Sequence, residues 1–560
     1  MSTNNHIVII GGTACGPKTA ARTRRLDPSA RITLIEQRGN LSTATCGLPY
    51  FISGVIEAES DMIARATDYF RNVFEMEVLT QRQAISIDRK THMIETLDLA
   101  SGKKNTINYD KLVIATGSTP IVPNWEGKDL DGVFTLTGIT DANAIRSHVK
   151  RLDTKEITII GAGLIGLEMA ESFVKQGFNV TVIEALDWLL PKLLDFEVAA
   201  YVQKHLQDYG VQLLFGQRVT GLEGNGSGKV SQVITENTKI EAGLVLLSLG
   251  VRPNVGLAKD AGLSIGATGG ISVNEYLQTS DPDIYAGGDC VENTHLITGD
   301  KSLVPMGSTA NKHGRIIGTN LTGGSDTFPG VLGTAVVKAF EYNVGRVGLT
   351  ESEAHQHGYS VITSLVPGPE YANYYPGGKQ ILVKLVAEES SGKLLGCQVV
   401  GPGEAAKRID VMATMLSLGG TVDNLGNLDL AYAPPYNSAM DPLHHAANII
   451  RNKRDGLART VTPMEVKVKL DNDEDFVLLD VRGEDEWKLQ HFDVKQSLLL
   501  PLPELRNRLG ELSRGDEIVI FCHTSARAYQ AQRILEGAGF QNVKFMEGSL
   551  SAWPYEDYLG

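Results

Sequence analysis

The stretch Ile157-Thr158-Ile159-Ile160-Gly161-Ala162-Gly163-Leu164-Ile165-Gly166 decides the fold of this chain. Its first four residues read as a buried parallel strand. The glycines that follow have the G-x-G-x-x-G spacing of a turn that opens a helix. The pattern predicts that helix to about Gln176, then a strand over Val180-Thr181-Val182-Ile183 that ends at Glu184. Glycines at 161, 163 and 166 let backbone N–H groups approach a pyrophosphate at the helix N-terminus. An acid such as Glu184 at the end of the second strand accepts from a ribose hydroxyl. Ala185-Leu186-Asp187-Trp188 offers no arginine for a 2′-phosphate, so this turn points to NADH rather than NADPH. Glu168, two residues past Gly166, reads as a helix N-terminal charge.

The same arrangement recurs at the start of the chain. Ile7-Val8-Ile9-Ile10 is a predicted buried strand and Gly11-Gly12-Thr13-Ala14-Cys15-Gly16 the turn. A helix over Pro17–Leu26 and a strand over Arg31–Ile35 follow, ending at Glu36. Thr13 stands where the middle glycine belongs, so taken alone this turn could serve any doubly wound sheet.

Composition bounds the alternatives. A chain of 560 residues suggests three or four domains. With 42% apolar and 21% charged residues it has the balance of a soluble globular protein, and no apolar run reaches the eighteen residues of a membrane span. His6–Ile10 followed by Cys15 could pass for a lipoprotein signal, but the run is short and no basic residue precedes it, so a cytoplasmic location is expected. A net charge of −14 argues against a general nucleic-acid binder. Five widely spaced cysteines, at 15, 46, 290, 397 and 522, form neither a disulfide framework nor a metal-ligand pattern.

Two further segments carry a resemblance. Leu112-Val113-Ile114-Ala115-Thr116-Gly117-Ser118 and Asp283-Ile284-Tyr285-Ala286-Gly287-Gly288-Asp289 look like recurring pieces of two-dinucleotide flavoprotein reductases, over residues 1 to about 450. The resemblance implies FAD at the first turn, with Gly11, Gly12, Gly16, Glu36, Ser42, Ala115 and Gly117 in its site. Asp289 would bind the ribityl chain, and a helix carrying Ala310 would follow to Leu321.

Within that frame one thiol stands out. Ser42-Thr43-Ala44-Thr45-Cys46-Gly47-Leu48-Pro49-Tyr50 contains a single cysteine, and the next is at 290, so no intrachain disulfide is expected here. A lone thiol can cycle through a mixed disulfide or a sulfenate. The stretch resembles the active site of coenzyme A disulfide reductases, which implies a catalytic Cys46 and coenzyme A contacts from Lys18, Arg22, Ser42, Thr45 and Arg71. Lys18 and Arg22 are four apart and so share a helix face. The family usually has asparagine before the cysteine, where this chain has Thr45. Peroxide-reducing relatives carry a histidine where this chain has Ala14, which favours a sulfur substrate. An NADH oxidase or peroxidase using a Cys46 sulfenate is the alternative.

Residues from about 330 to 450 alternate strands, such as 334–338 and 381–386, with a helix near 405–418. The resemblance implies a homodimer in which two tyrosines reach the partner's thiol. Tyr374 and Tyr432 are the candidates, with Tyr375 and Tyr436 as rivals; a phenol can donate a proton to a leaving thiolate. After a basic, turn-prone segment at 451–460, Phe476–Arg482 and Glu517–Phe521 read as strands, and Ser525–Leu535 as a helix. Cys522 sits at a strand end, in a loop closed by a helix N-terminus, where N–H groups favour an anionic sulfur. Cys522-x4-Arg527, with Asp480-Val481-Arg482 and Gly548-Ser549-Leu550-Ser551-Ala552-Trp553, resembles a rhodanese domain, in which Arg527 helps close the loop.

The expected architecture is α/β: an FAD-binding domain at 1–115 and 245–325, an NAD(H)-binding domain at 116–244, an α+β dimerisation domain at 326–450, a linker at 451–460 and a rhodanese domain at 461–560. The expected cofactors are FAD, NADH and coenzyme A. The expected substrates are small persulfides, disulfides or polysulfides, with neither nucleic acid nor membrane as partner.

Overall fold

The computed structural model describes residues 5–560, so the first four residues of the expected FAD-binding domain lie outside the described residues. The chain divides into two compact units, Met1–Ala185 with Gln217–Val331, and Leu186–Gly216 with Leu332–Gly560.

In the first unit, β1 (His6–Ile10), α1 (Cys15–Leu26), β2 (Arg31–Ile35), α2 (Leu48–Ser53), β3 (Glu77–Leu79) and β4 (Lys111–Ile114) open the chain. They are followed by β5 (Val133–Phe134), β6 (Glu156–Ile160), α3 (Leu164–Lys175), β7 (Asn179–Ile183), β8 (Leu244–Leu247), β9 (Ile284–Ala286) and α4 (Gly307–Asn320). One parallel sheet runs β9-β4-β1-β2-β3. Its central strand is apolar from Ile7 to Ile10 because both faces are covered. Ile7 and Ile9 pack with residues of α1 and α4, while Val8 and Ile10 pack with Ile87, Ile94, Leu112 and Ile114 on the other side. A second parallel arrangement runs β7-β6-β8-β5. Both glycine turns therefore leave the C-terminal end of a central strand, where the strand order reverses and ligands bind in such sheets.

In the second unit, β10 (Ala335–Ala339), β11 (Tyr342–Gly348), β12 (Val361–Pro369), β13 (Gln380–Glu388) and β14 (Leu394–Gly401) form an antiparallel sheet in the order β10-β11-β14-β13-β12. Helices α5 (Ala406–Ser417) and α6 (Pro442–Arg454) pack on it. Helix α6 covers Arg451–Arg454, so the segment expected as a linker begins helical; Asp441 caps the helix by accepting from Leu443 N–H. Residues 186–216, expected within the NAD(H)-binding domain, cluster with this unit instead. The physical reason is a buried ion cluster: Lys384 Nζ meets Asp195 at 3.0 Å, Glu351 at 2.6 Å and Glu197 at 2.5 Å.

The last hundred residues add β15 (Thr460–Val461), β16 (Val477–Asp480), α7 (Glu484–Leu489), β17 (Ser497–Leu499), β18 (Ile518–Phe521), α8 (Ala526–Gly537) and β19 (Val543–Met546). Their parallel sheet runs β15-β19-β18-β16-β17, with Cys522 at the end of the central strand β18.

Candidate active sites

The two glycine turns are built alike. Gly11 has φ +114°, and a Cβ there would meet the Ala115 carbonyl oxygen at 2.0 Å; Gly161 has φ +106° and would meet the Ser248 carbonyl oxygen at 2.3 Å. Only glycine fits either position. Gly16 and Gly166 are equally confined, by the carbonyls of Gly11 and Gly161 at 1.9 and 2.2 Å. The terminal acids do the same work in both turns. Glu36 accepts from Gly12 N–H at 2.6 Å, and Glu184 from Ala162 N–H at 3.0 Å. Thr13 has a physical account as well. A Cβ on Gly163, its counterpart, would meet nothing within 4 Å, so the protein itself leaves room for a side chain there.

The remaining residues of the first site fit a flavin dinucleotide. Burial pushes the Asp289 carboxyl up while the Ser118 hydroxyl, donating at 3.0 Å, acts the other way. A carboxylate accepts several hydrogen bonds, so this one has capacity left for a polyol hydroxyl. Gly117 has φ +68° with nothing within 4 Å of its Cβ direction, and Ala310 lies buried on α4. His313 on the same helix accepts from Gly288 N–H at 3.1 Å; burial lowers it to about 4, so it stays a neutral acceptor that fixes the Gly287-Gly288-Asp289 turn.

Cys46 is the exposed one of the five cysteines. It stands in a single helical turn, Thr45–Gly47, that runs into α2. Ser42, at φ +49°, ties this loop to the first glycine turn by donating its N–H to Gly12 O at 2.7 Å. The thiol loop is thus hooked to the flavin turn thirty residues away.

Helix α2 is also stitched to α3, the helix of the second turn. Tyr50 donates to Glu168 at 3.1 Å, Ser172 to Pro49 O at 3.0 Å, and Gln176 to Ile52 O at 3.4 Å. These three residues of the 164–176 segment are spaced by four and so share one face. Glu168 is half-buried, and burial raises it to about 7. Burial and the Glu168 charge together push Tyr50 up to about 12. From sequence Glu168 reads as a helix N-terminal charge. The missing signal was its partner Tyr50, 118 positions away.

Among the basic residues, Lys18 and Arg22 lie on the α1 face turned to α4. Cβ atoms on Gly314 and Gly318 would stand 2.7 Å from their Cβ atoms, and Arg22 Nε donates to Thr319 at 3.1 Å. Arg24 is consumed by the carbonyls of Phe74, Pro28 and Glu75. Arg71 donates to Val78 O at 3.2 Å and pairs with Asp68 at 3.4 Å. Thr45 N–H donates to Thr43 O at 3.0 Å.

In the second unit, the Tyr374 and Tyr432 hydroxyls meet at 2.9 Å, and both side chains are exposed. Tyr375 instead packs edge-on against Tyr371 at 5.7 Å. Tyr436 is 73% exposed. The structure therefore joins the two tyrosines singled out from sequence.

Cys522 is 1% exposed. Ser525 N–H points at its sulfur at 3.1 Å, and Cys522 N–H donates to Ser549 Oγ at 3.1 Å. Ser525 and Ser549 hold φ +81° and +50°, strained for non-glycine residues, as functional loops commonly are. Arg527 forms a bidentate pair with Glu486 at 2.6 and 2.7 Å. Asp480 and Arg482 form a second, buried pair beneath it.

Comparison with known proteins accords with this geometry. Pyridine nucleotide-disulphide oxidoreductase models match residues 5–314, and their dimerisation domain residues 334–444; a rhodanese-like domain matches 462–555. The chain belongs to the pyridine nucleotide-disulphide oxidoreductase family, whose members bind FAD and NAD(H). It is 38% identical to an NAD(P)H coenzyme A polysulfide/persulfide reductase of Pyrococcus horikoshii, over 80% of this chain and 98% of the relative. It is 37% identical to an NADH oxidase of Methanocaldococcus jannaschii, over 79% and 97%. The solved structure of an NAD-dependent persulfide reductase from A. fulgidus aligns with TM-score 0.93 and 41% identity, covering 98% of this chain and all of that one. Among the described residues no helix is long and apolar enough to cross a membrane.

Proposed function

We propose that this chain uses NADH to reduce sulfur–sulfur bonds of small persulfides, disulfides or polysulfides at Cys46, with Cys522 carrying sulfane sulfur. One observation carries the reading: a solitary exposed thiol beside a flavin turn shares a chain with a second thiol in a closed rhodanese-type loop. FAD and NADH, when bound, supply two electrons to the thiol site. Cys46 thiolate attacks a persulfide RS–SH, forming Cys46–S–SR and releasing HS⁻. Two electrons and one proton then return Cys46 to the thiolate and free RSH. The Tyr374–Tyr432 hydroxyl pair protonates the leaving sulfide. Lys18, Arg22, Ser42, Thr45 and Arg71 hold a coenzyme A carrier, whose flexible arm brings sulfur from Cys522 to Cys46. The chain acts as a homodimer through its dimerisation domain. That domain's exposed Tyr374, Tyr432, Tyr436 and Met440 are apolar surface that a second copy would cover.

The relative named NADH oxidase favours a second reading, in which Cys46 cycles as a sulfenate. Anaerobic turnover separates the two. Cys46→Ser is expected to keep its flavin absorbance and lose persulfide-dependent NADH oxidation without oxygen. Undiminished anaerobic turnover in that variant overturns the proposal, as does wild-type NADH consumption that needs only oxygen or peroxide.

A further inference from the structure

The loop that holds Cys522 ends at Arg527, and that cation is already engaged. Its two terminal nitrogens meet both carboxylate oxygens of Glu486 at 2.6 and 2.7 Å. Arg527 also lies within reach of the Cys522 sulfur, which adds to Glu486 in raising the guanidinium further. The guanidinium is thus shared between the sulfur and a carboxylate. Glu486 belongs to the first turn of α7, where Glu484 and Asp485 precede it, both exposed. Asp485 pairs with Lys488 at 3.5 Å, and Glu484 adds a further negative charge. Hydrogen bonds from Arg527, ahead of burial acting the other way, hold Glu486 at about 2, so it remains charged at any working pH. Cys522 itself is 1% exposed.

We infer that Glu486 sets the donor specificity of Cys522 by neutralising Arg527, so that the loop accepts sulfane sulfur from organic persulfides and discriminates against inorganic donors with a doubly charged leaving group. The inference rests on the reading of Cys522 as a sulfur carrier and names the class of donor it takes. With an organic persulfide, the Cys522 thiolate attacks the outer sulfur: Cys522–S⁻ + R–S–S⁻ gives Cys522–S–S⁻ and R–S⁻. With thiosulfate, the same attack on the outer sulfur gives Cys522–S–S⁻ and sulfite, SO₃²⁻. Each step breaks one S–S bond and forms another with no external electrons. They differ in the extra negative charge that must settle beside Arg527. A free guanidinium would welcome it with a planar fork suited to oxyanions. One already occupied by a carboxylate does not.

Thiocyanate formation with cyanide as common acceptor tests this, because kcat/KM for the donor isolates the first half-reaction. Thiosulfate and 2-hydroxyethyl persulfide serve as donors to the full chain. Glu486→Gln removes one charge several ångströms from the incoming sulfonate, and the thiosulfate-to-persulfide ratio of kcat/KM is expected to rise about tenfold. A ratio that stays within about twofold of wild type, or falls, overturns the inference. Should the variant misfold, the wild-type salt profile decides. A neutralised site predicts thiosulfate kcat/KM changing less than about twofold from about 0.05 to 0.5 M salt, whereas a steeper fall marks a free cation. Cys522→Ser keeps the two claims apart. If donor turnover survives it, the sulfur-carrier reading fails; if turnover is lost and the Gln ratio is unchanged, only the role of Glu486 fails.

Discussion

Replacing Glu168 by glutamine should change how stability depends on pH. An unfolded glutamate releases its proton near its ordinary 4.5, whereas burial in the folded chain holds the proton to about 7. Between those values the folded state binds more protons than the unfolded state, so stability falls as pH rises. The loss begins near 4.5, is complete just above 7, and is flat beyond. A gap of about 2.5 units corresponds to about 3 kcal/mol at 1.36 kcal/mol per unit. Glutamine keeps an oxygen to accept from Tyr50 and has no proton to lose, so the variant lacks this slope. The other charge facing Glu168 is Glu171, which lies on the same helix, pairs with Lys175 and remains in the variant. Urea unfolding followed by flavin fluorescence, which rises as the cofactor leaves the first unit, measures the difference at each pH. Wild type should lose about 3 kcal/mol relative to Glu168→Gln between pH 4.5 and 7.5. Parallel profiles for the two proteins would refute the argument, because they would mean that Glu168 titrates at the same pH folded and unfolded.

Two further changes have defined outcomes. Lys384→Met strands Asp195, Glu197 and Glu351 around a site that is 1% exposed, and should cost about 3–5 kcal/mol in urea unfolding at pH 7. The cost should shrink toward pH 4 as the carboxylates take up protons, and a pH-independent loss would count against the charge argument. Gly161→Ala drives a Cβ to 2.3 Å from the Ser248 carbonyl oxygen, so the KM for NADH should rise about tenfold or more while flavin content stays at wild type. Equal loss of flavin and NADH binding would mean that the two turns do not act separately.

What could be read from sequence follows the range of the interactions. Both glycine turns, their flanking strands and their terminal acids were legible because a strand, a turn and a helix are contiguous, and the steric demands at Gly11 and Gly161 leave no other residue. The Cys522 loop was legible for the same reason: six consecutive residues close it. The pairing of Tyr374 with Tyr432 came from family likeness, since nothing local joins residues 58 apart. Glu168 and Glu486 were missed because their partners, Tyr50 and Arg527, come from other helices. Each carboxylate looks like an ordinary charge near a helix N-terminus until the fold brings its partner up. The clustering of residues 186–216 with the second unit depends on equally distant partners. The distant Lys384 makes Asp195 and Glu197 a buried anchor.

The two thiols differ in a way that suits opposite tasks. Cys46 stands on a short helical turn that runs into α2 and is tied to the first glycine turn through Ser42. Cys522 is buried at a strand end, with Ser525 N–H against its sulfur and Arg527 over the loop. That setting stabilises a small anionic sulfur species and shields it from solvent oxidants. A carrier thiol needs such shelter, because a persulfide must survive between receipt and delivery. A reducing thiol needs access, because its adduct is resolved in place by electrons arriving from the flavin side. The buried setting of Cys522 supports the proposal that this thiol holds sulfane sulfur for reduction at Cys46.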